Sequence, residues 1–226
     1  MEKIKIDIVS DVACPWCYVG KKRLEKALEQ WKGATVEINW HPFQLDPYTP
    51  LEGVDRETYL VNKYGNIGHI RQMAENLTTV GAEEGITFDF EKLQHTYNTL
   101  AMHQLLYVAE KEGFKDRLKE RLFKAYFEEV LPVNKIETLC GIMAEFGWND
   151  EKTKTIISDK KITKAVQEEM IYYQKLGVNS VPFFIINDEH GLSGAQPSEI
   201  FLQVLASVAP VTIENGASCD PETGLC

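Results

Sequence analysis

The chain has 226 residues, of which 44% are hydrophobic and 26% charged. This composition is typical of a folded protein and excludes a disordered chain, in which charge dominates and apolar residues are few. Lys and Arg number 24 against 34 Asp and Glu, and the resulting formal charge of −10 argues against nucleic acid as a partner. The charges are interspersed, as from Lys111 to Glu129, which predicts a solvated helix surface.

The N-terminal segment MEKIKIDIVSDVACPWC lacks the long apolar stretch of a secretory signal. No window approaches the roughly 20 apolar residues that span a bilayer. We therefore expect a cytoplasmic protein that does not associate with membranes. In that compartment disulfides are more often catalytic or sensory than structural.

The spacing of apolar residues at the start of the chain changes from that of a strand to that of a helix and back again. Residues 4–9 alternate apolar and polar side chains as a strand does, and residues 36–40 do so again. Between them, apolar residues recur at helical spacing over 16–31, with Pro15 in the first turn and Gly33 as the expected C-cap. This order predicts a βαβ unit with a parallel strand pair.

A helical region follows a linker. Residues 41–54 hold three prolines and predict the linker, whereas the pattern over 55–177 is helical. Its clearest signals are an apolar stripe from Leu93 through Tyr97 to Val108, a second from Leu118 to Val130, and a capping box formed by Asn134 and Glu137.

The C-terminal part returns to short strands. Residues 183–186 form an apolar strand, a turn leads to a return strand at Leu192 and Ser193, and Pro197 opens a last helix. A lone strand pair is too small to be stable, so we expect the two terminal parts to build one four-stranded sheet with helices on both faces. The predicted fold class is α/β, with three segments: 1–54 with 163–210 as one split domain, 55–162 as a helical insertion, and 211–226 as a C-terminal tail.

Two of the five cysteines lie at the junction of the first strand and its helix, as Cys14-Pro15-Trp16-Cys17. Backbone N–H groups at a helix N-terminus stabilise an anion, which favours the reactive thiolate at Cys14. One helical turn brings Cys17 within reach of a disulfide with Cys14. The spacing therefore predicts that Cys14 attacks and that Cys17 resolves the mixed disulfide.

Two other interpretations of the cysteine pair compete with redox chemistry. A structural zinc site needs a further Cys/His pair, but His41 and His95 have no close partner and His103 lies in an apolar helix. The other interpretation is two unrelated buried thiols. Strand, cysteine pair and helix coincide, so redox chemistry is favoured, and we expect neither a metal nor a cofactor.

Val181-Pro182 precedes the strand that begins at Phe183. A proline at the mouth of a central strand donates no ladder hydrogen bond. A cis bond there would turn the chain sharply beside Cys14. Only about 5–6% of X–Pro bonds in folded proteins are cis.

These features resemble the thioredoxin fold, and the helical insertion resembles its DsbA branch. Asp11 through Gly20, Asn98-Thr99 with His103, and Val181 through Pro197 are similar to FrnE-type DsbA-family oxidoreductases. The resemblance covers nearly all of residues 4–208. It implies a thioredoxin fold (βαβ plus ββα) with a large all-helical insertion, a cis Pro182 packed against the cysteine pair, and dithiol–disulfide exchange.

The sequence departs from this pattern in one position. Thioredoxin has a buried acid six positions before its first active-site cysteine, where this chain has Ile8. Asp7 and Asp11 lie nearby, but an aspartate at the surface or at a strand end is the favoured interpretation of both. The absence of a signal differs from periplasmic DsbA and is similar to FrnE-like cytosolic members.

Several further side chains are candidates for the site. Trp16, with Pro15 and Val181, would support the cysteines and shape a docking surface. Tyr18 and Phe183 would extend that surface, with simple packing as the alternative. Asn98 and His103 lie on a helix predicted to cover the site, where they would touch substrate or make an interhelical hydrogen bond. Cys140 lies on an apolar helical stripe and is expected to be an inert buried thiol.

Cys219 and Cys226 bracket a turn-forming segment at the C-terminus. Some FrnE-like proteins are similar in carrying a second cysteine pair there. We expect either a second redox pair that exchanges with Cys14–Cys17, or a tail-closing disulfide or idle pair.

The leading functional prediction is a thiol–disulfide oxidoreductase or isomerase that acts on protein, peptide or small-molecule thiols and disulfides and is recycled by an unidentified redox partner. The first alternative is a glutathione-dependent isomerase or transferase, since kappa-class transferases and hydroxychromene-carboxylate isomerases resemble this architecture. Those proteins typically have Ser at the position of Cys14 and no partner at Cys17. The second alternative is a non-catalytic redox sensor or holdase.

Overall fold

The computed structural model describes residues 3–209. Six strands and nine helices lie in this part of the chain. In chain order they are β1 (Ile4–Ser10), α1 (Pro15–Gln30), β2 (Val36–Pro42), β3 (Val54–Asp55), α2 (Arg56–Tyr64), α3 (Ile67–Glu83), β4 (His95–Thr96), α4 (Leu100–Lys111), α5 (Lys115–Phe127), α6 (Ile136–Ala144), α7 (Asp150–Ser158), α8 (Lys160–Lys175), β5 (Phe183–Ile186), β6 (His190–Ser193) and α9 (Ser198–Val208).

The predicted four-stranded sheet is confirmed, in the strand order β2-β1-β5-β6. β1 runs parallel to β2, with Ile6 opposite Ile38, and antiparallel to β5, with Ile8 opposite Phe184. The β5–β6 hairpin turns at Asn187, which has a φ of 51°. The α/β fold class is confirmed as well.

Helices cover both faces of the sheet, as expected. On one face, Ile4, Ile6 and Ile8 pack against apolar residues of α1 and α9. On the other face, Val9 packs with Tyr173 of α8. Because both faces of β1 are covered, six of its seven residues are buried. Burial of this kind stabilises the central strand that carries the active-site loop at its C-terminal end.

The largest apolar cluster joins the helical segment to the start of α1. Cys14, Cys17 and Val19 lie in one cluster with residues of α4 and α5, including Leu105 and Leu122. The cysteine pair is therefore part of the core that the helical segment builds. The segment boundaries predicted above stay a prediction.

The expectation that the insertion is all-helical was wrong. β3 and β4 pair antiparallel, with Val54 opposite Thr96 and Asp55 opposite His95. Asp55 also caps α2 by accepting a hydrogen bond from the Thr58 amide at 2.8 Å. The extended backbone at Asp55 thus serves both the pair and the helix start.

Several local predictions differ from the structure. The α4 helix begins at Leu100, so Leu93 and Tyr97 precede it, and Val130 follows α5 with a φ of 51°. Asn134 is outside the cap of α6, which begins after Lys135, because its side chain donates to the Glu52 carbonyl instead. Other shifts are smaller: Trp31 rather than Gly33 is the C-cap of α1, and β6 begins at His190.

Within residues 3–209, no helix has the length and apolarity that crossing a membrane requires. The cysteines Cys219 and Cys226 lie outside the described residues.

Candidate active site

The cysteine pair lies at the junction of β1 and α1. Cys14 is the N-cap of α1 and Pro15 occupies the first turn, as predicted. The Cys17 amide donates to the Cys14 carbonyl at 3.0 Å, which closes the first turn. Both residues are buried, with 4% of Cys14 and 1% of Cys17 exposed, and the structure holds them as thiols.

The Val181–Pro182 bond is cis and lies against the cysteines. The Cys14 thiol donates a hydrogen bond to the Val181 carbonyl, with 3.5 Å between sulfur and oxygen. Gly20, two turns into α1, faces Pro182, and a Cβ at this position would lie 3.1 Å from the Pro182 Cγ. A glycine at position 20 therefore permits the close approach of the proline to α1, a role that the sequence pattern did not reveal.

Two local influences act against the predicted thiolate at Cys14. Its interaction with the Cys17 thiol and its burial raise the pKa of Cys14 well above the ordinary value. Burial also opposes the anion at Cys17, but the interaction with Cys14 and the charge of Lys119 outweigh it and lower the pKa of Cys17. Cys14 makes no side-chain cap bond to the helix and faces a carbonyl, which favours its neutral form. Within the pair, these contacts favour the neutral form at Cys14 and the anion at Cys17.

Asp11 directly follows β1, as expected of a strand-end aspartate, but it is buried, so the alternative of a surface aspartate was wrong. One carboxylate oxygen accepts from the Leu45 amide at 2.8 Å. The other accepts from the Ala13 amide and lies 3.3 Å from the His103 Nε2. Burial raises the pKa of Asp11, but the hydrogen bond and charge of His103 outweigh it and lower the pKa. This carboxylate fixes the loop that carries Cys14.

His103 joins the helical segment to this loop. It is buried on α4, and burial lowers its pKa below the ordinary value. Its partner is Asp11 in the β1–α1 loop, so the bond is neither interhelical nor a contact to substrate, the two alternatives predicted above.

Lys119 on α5 is a member of the site that the sequence interpretation missed. It was expected on a solvated helix surface, yet only 1% of it is exposed. Its Nζ donates to the Ser10 carbonyl at 3.4 Å and lies over the rings of Trp40 and Phe123. Burial lowers the pKa of Lys119 to about 8. Its position between Leu118 and Leu122 on the apolar stripe is the signal that would have located it.

A cavity of about 380 Å³ opens beside Cys14, between the cysteine loop and the α2–α3 pair. Cys17 lies behind Cys14 and outside its lining, so Cys14 is the sulfur that a bound molecule meets. The wall of the cavity includes Pro15, Trp16, Val181, Arg56, Ile70, Leu77, Phe90 and Tyr97.

Three predicted surface residues lie elsewhere. Tyr18 is buried in the core, where its hydroxyl donates to Glu128 at 2.7 Å, so it extends no docking surface. Phe183 packs toward the α8 face of the sheet, away from the cavity. Asn98 precedes α4 and holds the neighbouring loop by donating to the Thr49 carbonyl at 2.7 Å.

Cys140 is buried, and its Sγ contacts the Asp150 carbonyl at 3.9 Å.

Comparison with known proteins finds one matching family and several similar proteins. The model of the DSBA-like thioredoxin domain matches residues 5–206. The probable DsbA oxidoreductase SCO1869 of Streptomyces coelicolor is 30% identical, with a TM-score of 0.82 and 97% of each chain covered. YwbO of Bacillus subtilis is 27% identical over 205 residues, which are 90% of this chain and 96% of YwbO.

A more distant structure shares the fold alone. The cytosolic disulfide reductase DsbM of Pseudomonas aeruginosa, solved with GSH, is 16% identical with a TM-score of 0.63 and covers 90% of this chain and 100% of its own. The family match over residues 5–206, together with the SCO1869 likeness, shows that the chain belongs to the DSBA-like thioredoxin domain family.

Proposed function

We propose that the protein is a thiol–disulfide oxidoreductase that exchanges electrons with protein, peptide or small-molecule disulfides through Cys14 and Cys17. One observation carries the proposal: the Cys14 sulfur faces a cavity beside the cis proline while Cys17 lies one helical turn behind it. This arrangement separates an attacking sulfur from a resolving one.

In the reductive direction the Cys14 sulfur attacks a substrate disulfide. The substrate S–S bond breaks, one substrate thiolate leaves, and a Cys14–substrate disulfide forms. Cys17 then attacks Cys14, which releases the second substrate thiol and leaves the Cys14–Cys17 disulfide. An external dithiol or a recycling partner reduces that disulfide, and the same steps run backwards in oxidation. The attacking Cys14 thiolate forms by transfer of the Cys14 proton to Cys17, the sulfur at which the contacts favour the anion.

Trapping of the intermediate tests the assignment of the two sulfurs. We expect reduced Cys17→Ser to accumulate a mixed disulfide at Cys14 with an oxidised peptide, because no second thiol resolves it. Mass spectrometry of the acid-quenched, alkylated protein measures the adduct and its position. Cys140→Ser is the matched control and should resolve its adduct as the wild type does. An adduct on Cys17 in the reciprocal Cys14→Ser protein, formed at the same rate, would contradict the assignment.

Arg56 suggests which substrates the cavity accepts. Its guanidinium lies over the Phe90 ring at 5.5 Å, and it makes no ion pair with a carboxylate of residues 3–209. The cavity size suits a small disulfide or a peptide segment. We propose that Arg56 binds a carboxylate next to the substrate disulfide.

Substitution of Arg56 by methionine should therefore raise the KM for glutathione disulfide by about ten- to a hundredfold, since a charge-assisted hydrogen bond contributes about 1.5–3 kcal/mol. The KM for uncharged hydroxyethyl disulfide should stay unchanged. Arg117 lies over Phe146 at 5.9 Å, away from the cavity, so Arg117→Met is the matched control. An equal change for both disulfides would contradict carboxylate binding.

The cytoplasmic location and the existence of a recycling partner remain predictions. Cell fractionation followed by capture of mixed disulfides on Cys17→Ser would test both.

A further inference from the structure

Lys119 is a buried amine on α5. No carboxylate of residues 3–209 lies within ion-pair distance of its Nζ, which donates to the Ser10 carbonyl. Lysine is almost never fully buried without a partner, because removing the ammonium from water is costly. Such a cost next to a reactive sulfur indicates a role in the chemistry.

Charged and titratable groups lie near Lys119 on several elements, and His41 of β2 and Glu169 of α8 line a small cavity with it. From α1 and the loop before it, Cys17, Cys14 and Asp11 favour its charged form. From α4, His103 is hydrogen-bonded to Asp11. On α5 itself, Lys115 opposes the charge of Lys119, but Lys115 is ion-paired to Glu110 at 3.1 Å. Of these groups, Cys17 exerts the largest influence in favour of the ammonium.

A second, small cavity touches Lys119. Its volume is about 10 Å³, and its lining includes His41, His103, Lys115 and Glu169 as well as Lys119. A volume of roughly 10–15 Å³ holds one water. His41 and Glu169 are 2.7 Å apart and partly exposed, so the polar lining reaches the surface. Cys14, Pro15 and Trp16 belong to the large cavity, so this route to solvent does not cross the substrate site.

We propose that Lys119 carries the proton of Cys17 to and from solvent during disulfide exchange, by way of this small cavity. The inference rests on the proposed function and assigns a group which that function leaves unused. In the resolving step the neutral Lys119 amine takes the proton of the Cys17 thiol. The Cys17 thiolate bonds to the Cys14 sulfur, the bond from Cys14 to the substrate sulfur breaks, and the substrate leaves as a thiolate.

Lys119 then releases the proton to solvent. In the opposite direction a substrate thiolate attacks Cys14, Cys17 leaves as a thiolate, and the Lys119 ammonium returns a proton to it. A pKa of about 8 populates both forms of the amine near neutral pH, which a proton carrier requires. The rate of resolution should therefore rise with pH through about 8 as the amine becomes neutral.

Rapid mixing of the reduced protein with an oxidised peptide, followed by acid quench, measures formation and resolution of the Cys14 adduct separately. We expect Lys119→Met to slow resolution about 10²-fold, to accumulate the adduct, and to lose the inflection near pH 8. Lys119→Arg keeps the charge but holds its proton at every accessible pH, so it should resolve slowly as well.

Lys21 provides the matched control. It is another buried lysine, ion-paired to Glu25 and Glu120, and Lys21→Met should resolve its adduct at the wild-type rate. Wild-type resolution and pH profile in Lys119→Met, or full recovery in Lys119→Arg, would overturn the proposal. If near-ultraviolet circular dichroism shows that Lys119→Met is unfolded, Lys119→Arg decides. A wild-type protein that forms no Cys14 adduct would refute the proposed function itself, which separates the two failures.

Discussion

Replacing Cys14 by serine is expected to reduce DTT-driven insulin reduction to the rate of DTT alone. The serine hydroxyl forms no disulfide, and Cys17 lies behind Cys14 and outside the substrate cavity. The precipitation of reduced insulin chains, followed by light scattering, measures the rate.

Cys140→Ser is the matched control, since it also removes one buried thiol but lies far along the chain on α6. It should keep the wild-type rate. Full activity in Cys14→Ser would contradict the proposed function. Glutathione-dependent isomerisation that survives the change would favour the isomerase alternative, and binding of unfolded protein without turnover would favour a holdase.

Replacing Asp11 by alanine is expected to destabilise the protein by about 3 kcal/mol, because two backbone amides and His103 lose a buried partner. Urea unfolding measures the change. Asp46→Ala is the control, since this carboxylate lines the same cavity and accepts a hydrogen bond from the Tyr48 amide. An equal loss of stability in both variants would contradict a special role for the buried carboxylate.

The same substitution should change the acid sensitivity of the protein. The pKa of Asp11 is lowered in the folded state, so its ionised form stabilises the protein above the ordinary value of 3.8. That contribution is lost as pH falls through the lower, folded-state pKa. As pH is lowered between these two values, the free energy of unfolding should therefore decrease less steeply in Asp11→Ala than in the wild type. Parallel curves would contradict the lowered pKa.

Local periodicity explains which parts of the fold could be predicted. The βαβ unit and the terminal hairpin follow from alternating and helical patterns, and Pro15 marks the start of α1. The β3–β4 pair escaped prediction because strands of two residues have no period. Its existence depends on hydrogen bonds between segments some forty residues apart, which a pattern within one window does not record.

The site shows the same division between local and distant information. The position of Cys14 at the helix N-terminus is local and was predicted. Its thiol, however, donates a hydrogen bond to the carbonyl of Val181, which lies 167 residues away. The burial of Asp11 depends on His103, and that of Lys119 depends on Ser10, which lies 109 residues away. The groups that bear on the protonation of the pair lie far apart in the chain, so a local pattern does not include them.

The apolar cluster shared by α1, α4 and α5 has an evolutionary consequence. An insertion that only decorated a thioredoxin-like domain would be free to vary without altering the chemistry of the cysteines. Here α4 and α5 supply apolar residues that pack in one cluster with Cys17, and α5 supplies the buried amine whose charge lowers the pKa of Cys17. Two family members with identical CPWC loops but different α5 helices would therefore differ in the pKa of the second cysteine, and divergence in this helix would alter the proposed exchange while the motif stays constant.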